Sequence, residues 1–284
     1  MPMGQVAPML MASLGQALQD TYTALMTHHD DKALHDFRVS LRRTRAVLRE
    51  LRCVDQDSWQ PILQAARRIA RSTNLIRDVD VCRADLRHDE PNPSPPGRAL
   101  LRHLAARKAR ATQMANKQLL LVPEAVLQPL RSLTEKNLAG PCAADSFQEM
   151  ALRVTRKRLT ALLRRGSKLK PKSAARKYHQ VRIQAKRLRY TLETMAPAMD
   201  SAILEPLLGS LKKLQNTLGA LQDLEVQEEL LAAFAARPRT TDAEDMVRFV
   251  KLRRQHLHQR KEALRHDFSA LFAQFVQHTQ PLMG

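Results

Sequence analysis

A histidine followed by a comb of basic residues stands at two places in this chain. The segment HDFRVSLRRTRAVLREL, from His35 to Leu51, returns 144 positions later as HQVRIQAKRLRYTLETM, from His179 to Met195. On an α-helix turning about 100° per residue, His35, Arg38, Arg42 and Arg45 fall within a stripe roughly 80° wide, and so do His179, Arg182, Lys186 and Arg189. Arg49 extends the first stripe, whereas Glu193 holds the matching place in the second. Guanidinium groups grip phosphate oxygens through forked N–H pairs, and ammonium groups act as point charges. The chemistry on offer is the binding of an extended anion.

Each comb needs a helix that is anchored by another face. Phe37, Leu41, Leu48 and Leu51 in the first copy, and Val181, Ala185, Leu192 and Met195 in the second, supply that apolar side. A solvated helix face is the ordinary alternative, but such faces mix acids with bases at i,i+4, and acids are nearly absent from these stripes. Two facing basic walls with a polyanion between them is therefore the favoured arrangement.

A second repeat supports this. RRIARSTNLIRDVDV, Arg67 to Val81, aligns with KKLQNTLGALQDLEV, Lys212 to Val226, so that Arg67 and Arg68 match Lys212 and Lys213 and Asp78 matches Asp223. These four cations, with Arg71, join the candidate site. Asp78 and Asp223 are open to two readings: they aim arginine or histidine side chains inward, or they cap helices or form local ion pairs.

The composition bounds the partner. Forty-seven Lys and Arg against 28 Asp and Glu leave a formal charge of +19, and self-repulsion at that level calls for an anionic partner or a strongly solvated surface. Aromatics are only 4% of the chain, too few for the stacking platforms on which single-stranded nucleic acid is held. A base-free phosphate polymer needs charge and donors alone. Cys53, Cys82 and Cys142 lack Cys-x-x-Cys spacing, so neither a disulfide framework nor a zinc knuckle is expected, and a reducing cytoplasm fits. Nothing resembles a secretion signal or a membrane span, and a soluble protein is expected.

Glycine is rare, and the apolar residues recur three and four apart, so the chain is expected to be all-α. The breaks predict helices at about 10–27, 31–53, 57–88, 97–120, 145–166, 173–196, 201–236 and 242–278, with a short one between Val122 and Lys136. PNPSPPG, Pro91 to Gly97, is a connector, and Leu138 to Ser146 divides the halves. The repeats imply duplication of a four-helix unit: two bundles related by a pseudo-two-fold axis, about 10–140 and 141–278, within a single domain over 10–278.

The paired motifs HDFRVSLRRTR and HQVRIQAKRLRY, each followed by LIRDVDV or LQDLEV, resemble the CHAD family, the conserved-histidine α-helical domain. The resemblance covers about residues 10 to 278. It implies two four-helix bundles around a basic cavity that binds inorganic polyphosphate, at polyphosphate granules in the bacterial cytoplasm. Carried across by position, it puts His35, Arg38, Arg42, Arg43 and Arg45 in one wall and His179, Arg182, Lys186, Arg187 and Arg189 in the other. One departure is Asn74, where the second copy has Gly219 in the Leu-Gly pair common in the family. No triphosphate-tunnel catalytic domain accompanies the motifs, so catalysis is not implied.

Rival readings remain on the same residues. General RNA binding uses the same charge. Phosphate cleavage would need carboxylates facing the site, for which only Asp78, Asp80, Asp223 and Glu225 qualify. His35 and His179 share the phase of the arginines and either contact the anion or satisfy a polar contact. No cofactor is expected and no metal, since a divalent cation among arginines is unfavourable. Arg253 to His266 reads as an ordinary amphipathic helix with no site. The sequence carries no signal of oligomeric state.

Overall fold

The computed structural model describes residues 1–136, 138, 140–236 and 243–283. It contains α1 (Met3–His28), α2 (Asp31–Glu50), α3 (Gln56–Ser72), α4 (Asn74–Asp89), α5 (Pro95–Leu119), α6 (Gln128–Ser132), α7 (Phe147–Gly166), α8 (Ala175–Met195), α9 (Ser201–Ala235), α10 (Ala243–Gln277) and α11 (Gln280–Met283). Single 3₁₀ turns at Leu51–Cys53 and Ala196–Ala198 follow α2 and α8, and a π-helical turn at Pro123–Leu127 precedes α6. The described residues form no β-strand, and the fold is all-α as expected. The junction between the last two predicted helices, 237–242, lies outside the described residues, as does residue 139 within the predicted divide.

Local chemistry sets the helix starts. The Asp30 side chain accepts from the Ala33 N–H at 2.6 Å and opens α2, and Ser146 and Glu149 form a reciprocal capping box at α7. Asp55 and Asp200 cap α3 and α9 in the same way, each six residues before a helix proline, Pro61 and Pro206. These pairs stand 145 residues apart, so α9 corresponds to α3 and α4 together.

Two of the sequence boundaries need correction. The helix expected over 57–88 breaks at Thr73. There the Ser72 and Thr73 hydroxyls donate back to the Ile69 and Ala70 carbonyls, at 2.8 and 3.2 Å, in competition with the helical ladder. The first helix starts at Met3 rather than near residue 10. Its leading N–H groups are satisfied by the connector between the halves, Met3 N–H on the Asp145 carbonyl at 2.8 Å and Gly4 N–H on Ala143 at 2.9 Å.

Three apolar cores hold the helices. The first joins α1, α2, α3, the end of α5, the π-helical turn, α6 and the start of α7 around Trp59, Phe37, Leu41 and Leu48, all without exposed surface. The second joins α7, α8, the first half of α9 and the end of α10 around Phe268, Phe275, Leu188 and Leu211. A third draws on both halves: α4 and the start of α5 pack on the end of α9 and the start of α10, through Val79, Leu86, Leu104, Leu224 and Leu257. Full burial of each such side chain contributes about 1.5–3 kcal/mol. The shared core ties the two halves together at one end and α2 against α8 ties them at the middle.

Ion pairs fasten the shared core. Arg253 of α10 donates to Asp85 at 2.9 Å and Asp89 at 2.5 Å, and Arg260 donates to Asp85 at 2.8 Å. Lys261, only 6% exposed, meets Glu228 at 2.6 Å and Glu225 at 3.4 Å. The buried and half-buried cations of α10 are thus neutralised within the fold, whereas Arg248, Lys251 and Arg254 stand exposed.

The cysteines overturn an expectation, because Cys53 and Cys142 form a disulfide while Cys82 is free and buried. Far apart in sequence, they meet because the connector docks on the end of α2, with Gly140 N–H on the Val54 carbonyl at 2.9 Å and Cys142 N–H on Cys53 at 3.2 Å. Spacing motifs do not report such tertiary docking, and the cysteine argument for a reducing compartment no longer holds. A bridge closing a loop of this length should stabilise the protein by about 2–4 kcal/mol. Cys142→Ser is expected to lower the stability by that amount in urea unfolding under non-reducing conditions, and the difference from the parent should vanish once the parent is reduced.

Candidate anion-binding site

α2 meets α8, with α4 and α9 closing the same region. Arg42 is at the centre. Its charge acts on His35, Arg38 and Arg45 of its own helix and on Arg182 and Lys186 of α8. Further along, Arg49 and Arg187 face each other and both face Arg158 of α7. Arg67 and Arg71 of α3 lie beside Arg45. The two combs are therefore one cluster running along the α2–α8 seam.

Much of this charge is unmatched. Arg42, Arg45, Arg49, Arg182, Lys186 and Arg187 form no hydrogen bond or ion pair with any of the described residues. The Nε atoms of Arg45 and Arg182 are buried without an acceptor. Burial and then the neighbouring arginines push Arg38 and Arg45 down to about 10. The same causes act on Arg182, Arg49 and Arg187, each held below the ordinary arginine value, burial first. Lys186 is pushed down to about 6 by burial and by Arg42, Arg182 and Arg77. His35 is lowered by burial, with Arg42, Arg77 and Arg38 opposing Asp36, and stays neutral at neutral pH.

Three acids enter the cluster. Asp223 of α9 accepts a forked pair from Arg77 of α4, at 2.6 and 3.0 Å, bridging the halves. Asp78 is 3.4 Å from the same guanidinium, and burial raises its pKa although Arg77 and Arg38 oppose the rise. Glu50 pairs with Arg158 at 2.6 Å. Neither Asp78 nor Asp223 is at a helix terminus, which excludes capping, and both meet the Arg77 guanidinium, a contact that fits either the aiming of an arginine or a local ion pair. For Arg77, burial lowers the pKa, and the hydrogen bonds and charge of Asp223 more than offset it.

The remaining candidates are placed less centrally. Arg38 spans the α3–α4 break, bonding Thr73 and, at 2.9 Å, the Asn74 side chain, so the residue that departs from the second copy serves as its partner. Arg189 turns to Glu193 at 2.7 Å and Gln215 at 3.2 Å. His179 bonds Gln222 through Nδ1 and borders a small cleft with Tyr178 and Arg265. Arg43, Arg68, Lys212 and Lys213 are exposed, and no interaction among the described residues links them to the cluster. Of the other carboxylates weighed for catalysis, Asp80 pairs with Lys108 at 2.6 Å and Glu225 faces Lys261 and Arg265. Among the described residues, no group of three or more His, Cys, Asp or Glu side chains is placed to hold a metal, and no helix is long and apolar enough to cross a membrane.

Sequence reasoning missed Arg77, Arg158 and Arg165. Arg77 aligns with Gln222, so it broke the repeat by which the site was sought, yet it stands beside the repeated Asp78. Arg158 and Arg165 belong to α7, which carries no comb, and reach Arg187 only through packing.

The CHAD family model matches residues 10–232, and the chain belongs to that family. It is similar in structure to the CHAD domain from the plant Ricinus communis, with 21% identity and a TM-score of 0.74 over 96% of this chain and 91% of that one. It is also similar to PptA from Streptomyces chartreusis, with 18% identity and a TM-score of 0.68 over 99% of this chain and 100% of that one. At these identities the likeness is one of fold. No curated protein sequence matches the chain.

The balance of matched and unmatched charge leads to two opposite stability effects. Asp223→Asn takes from Arg77 its forked carboxylate partner, leaving it only Asp78 at 3.4 Å among the cations, and is expected to cost about 1–3 kcal/mol in the ligand-free protein, the pair being only partly buried. Arg45→Met removes an unmatched charge and is expected to raise the melting temperature by about 2–4 °C at low salt. Thermal unfolding of both variants without polyanion checks the pair.

Proposed function

We propose that the α2–α8 seam binds inorganic polyphosphate, with the polymer laid along the unpaired cations. The observation that carries this reading is a contrast within one chain. The buried and half-buried cations of α10, Arg253, Arg260, Lys261 and Arg265, are paired with Asp85, Asp89, Glu225 and Glu228, whereas the half-buried Arg42, Arg45, Arg49, Arg182, Lys186 and Arg187 of α2 and α8 have no partner among the described residues. A fold that pairs its structural cations and leaves these bare keeps them for an external anion. Membership of the CHAD family favours polyphosphate as that anion, and association with polyphosphate granules follows as the cellular reading. The role proposed is binding without catalysis.

RNA is the second reading, and the aromatic side chains disfavour it. Trp59, Tyr22, Tyr178 and Tyr190 are buried, and none of the exposed large apolar residues is aromatic. Bases would find no platform on which to stack, while a slim phosphate chain needs none.

Calorimetric titration with long-chain polyphosphate, beside RNA at matched phosphate and at two salt concentrations, tests the choice. Polyphosphate is expected to bind at least about tenfold more tightly than RNA. By analogy with DNA, neutralising six or more phosphates should weaken binding by about 10³-fold or more between 50 and 200 mM salt. Arg42→Glu together with Arg182→Glu should abolish binding at moderate salt. Equal affinity for RNA, or binding unaffected by the charge reversals, would overturn the reading.

A further inference from the structure

Lys186 stands in the middle of α8, between the fully buried Ala185 and Leu188 and across from Arg42. The charged groups around it come from each helix that closes the seam. α2 presents Arg42, α4 presents Arg77, α9 presents Asp223, and Arg182 stands one turn back on α8. Arg158 and Arg165 of α7 face Arg187 instead, and His35 and Asp78 lie at the Arg38 and Arg77 end. The one carboxylate among Lys186's neighbours, Asp223, is already held at both oxygens by Arg77. Lys186 has no acceptor among the described residues.

Lys261 provides the comparison inside the same protein. It is buried more deeply than the half-buried Lys186, yet it has Glu228 at 2.6 Å and Glu225 at 3.4 Å, so its charge is compensated. Lys186 has three guanidinium groups in that place. Arginine keeps its proton at any ordinary pH, so the repulsion can be relieved only at the lysine, which sheds its proton near neutrality.

We propose that Lys186 grips phosphate only after taking up a proton, so that this site holds a phosphate polymer more tightly as pH falls. The inference rests on the polyphosphate reading above and assigns its regulation. In the free protein the lysine's pKa is pushed down to about 6 by burial, Arg42, Arg182 and Arg77. A phosphate chain lying on those groups cancels the repulsion and supplies an acceptor, which raises the value again. Below the free value Lys186 is charged with or without ligand, and affinity does not depend on its titration. Between the free and bound values each binding event draws one proton from solution, and affinity falls by up to about tenfold per pH unit. Lys186 thus links polymer binding to the proton concentration.

The test combines two measurements on the whole protein. Lysine side-chain NMR of the ligand-free protein should show one ammonium titrating near pH 6, absent from Lys186→Arg, and shifted upward on addition of long-chain polyphosphate. Calorimetry with the same polymer, in two buffers of different ionisation enthalpy, should show uptake of about one proton at pH 7.5 and a loss of affinity of about 10- to 100-fold from pH 6.5 to 8.5. Lys186→Arg, which holds its charge throughout, should bind without that uptake and with a change of less than about threefold that includes any contribution of His35. Lys186→Met, which mimics the neutral lysine, should also lack the uptake and should bind about tenfold more weakly than the parent at pH 6.5. Proton uptake that persists in both variants, or parental binding that is flat across this range, overturns the inference and leaves the polyphosphate reading standing. Absence of polyphosphate binding at pH 6.5 overturns both.

Discussion

Unneutralised positive charge at the meeting of α2 and α8 is the constraint on which this structure depends. Like charges brought together in a partly buried seam oppose folding, so the surrounding fold must hold them there. Three apolar cores do this. Phe37, Leu41 and Leu48 fix the back of α2, and Val181, Ala185 and Leu188 fix the back of α8. Neither helix can turn its basic face away without exposing those side chains.

The same constraint explains where the acids go. Asp85, Asp89, Glu225 and Glu228 neutralise the cations of α10 at the shared core, and few acids remain for the seam. Those that do enter it serve the fold as much as the charge: Asp223 takes Arg77 across the halves, and Glu50 takes Arg158. Both bonds join elements of one half to the other at the edges of the seam. The centre, around Arg42, Arg182 and Lys186, is left without an ion pair.

Correspondence between the halves is close in plan and broken in detail. α9 runs unbroken over the stretch that α3 and α4 cover in two pieces, although both begin at an Asp cap followed by a proline. The break at Thr73 gives Arg38 its partners, and so spends on the fold one cation that the matching residue Arg182 keeps free. Arg189 differs from Arg45 for a comparable reason, since Glu193 stands one turn away where the first copy has Arg49. The cationic seam is thereby less symmetric than the repeated motifs.

Much was determined by the sequence alone. Apolar spacing and the scarcity of glycine dictated helices, because helix formation is decided by residues three and four apart. The paired combs dictated the chemistry, because a stripe without acids is a local property of one helix. Arg42 and Arg45 were placed on one helical stripe and Arg182 and Lys186 on the other in this way, and the structure brings those residues together without partners. Tertiary structure alone decided which cations remain free. Arg77 and Arg158 joined the seam through packing between elements far apart in the chain, Arg38 and Arg189 were drawn to polar neighbours, and Cys53 met Cys142 through a docked connector. Ionic partnership depends on distances of a few ångströms across separate helices, and no periodicity along a single helix encodes them.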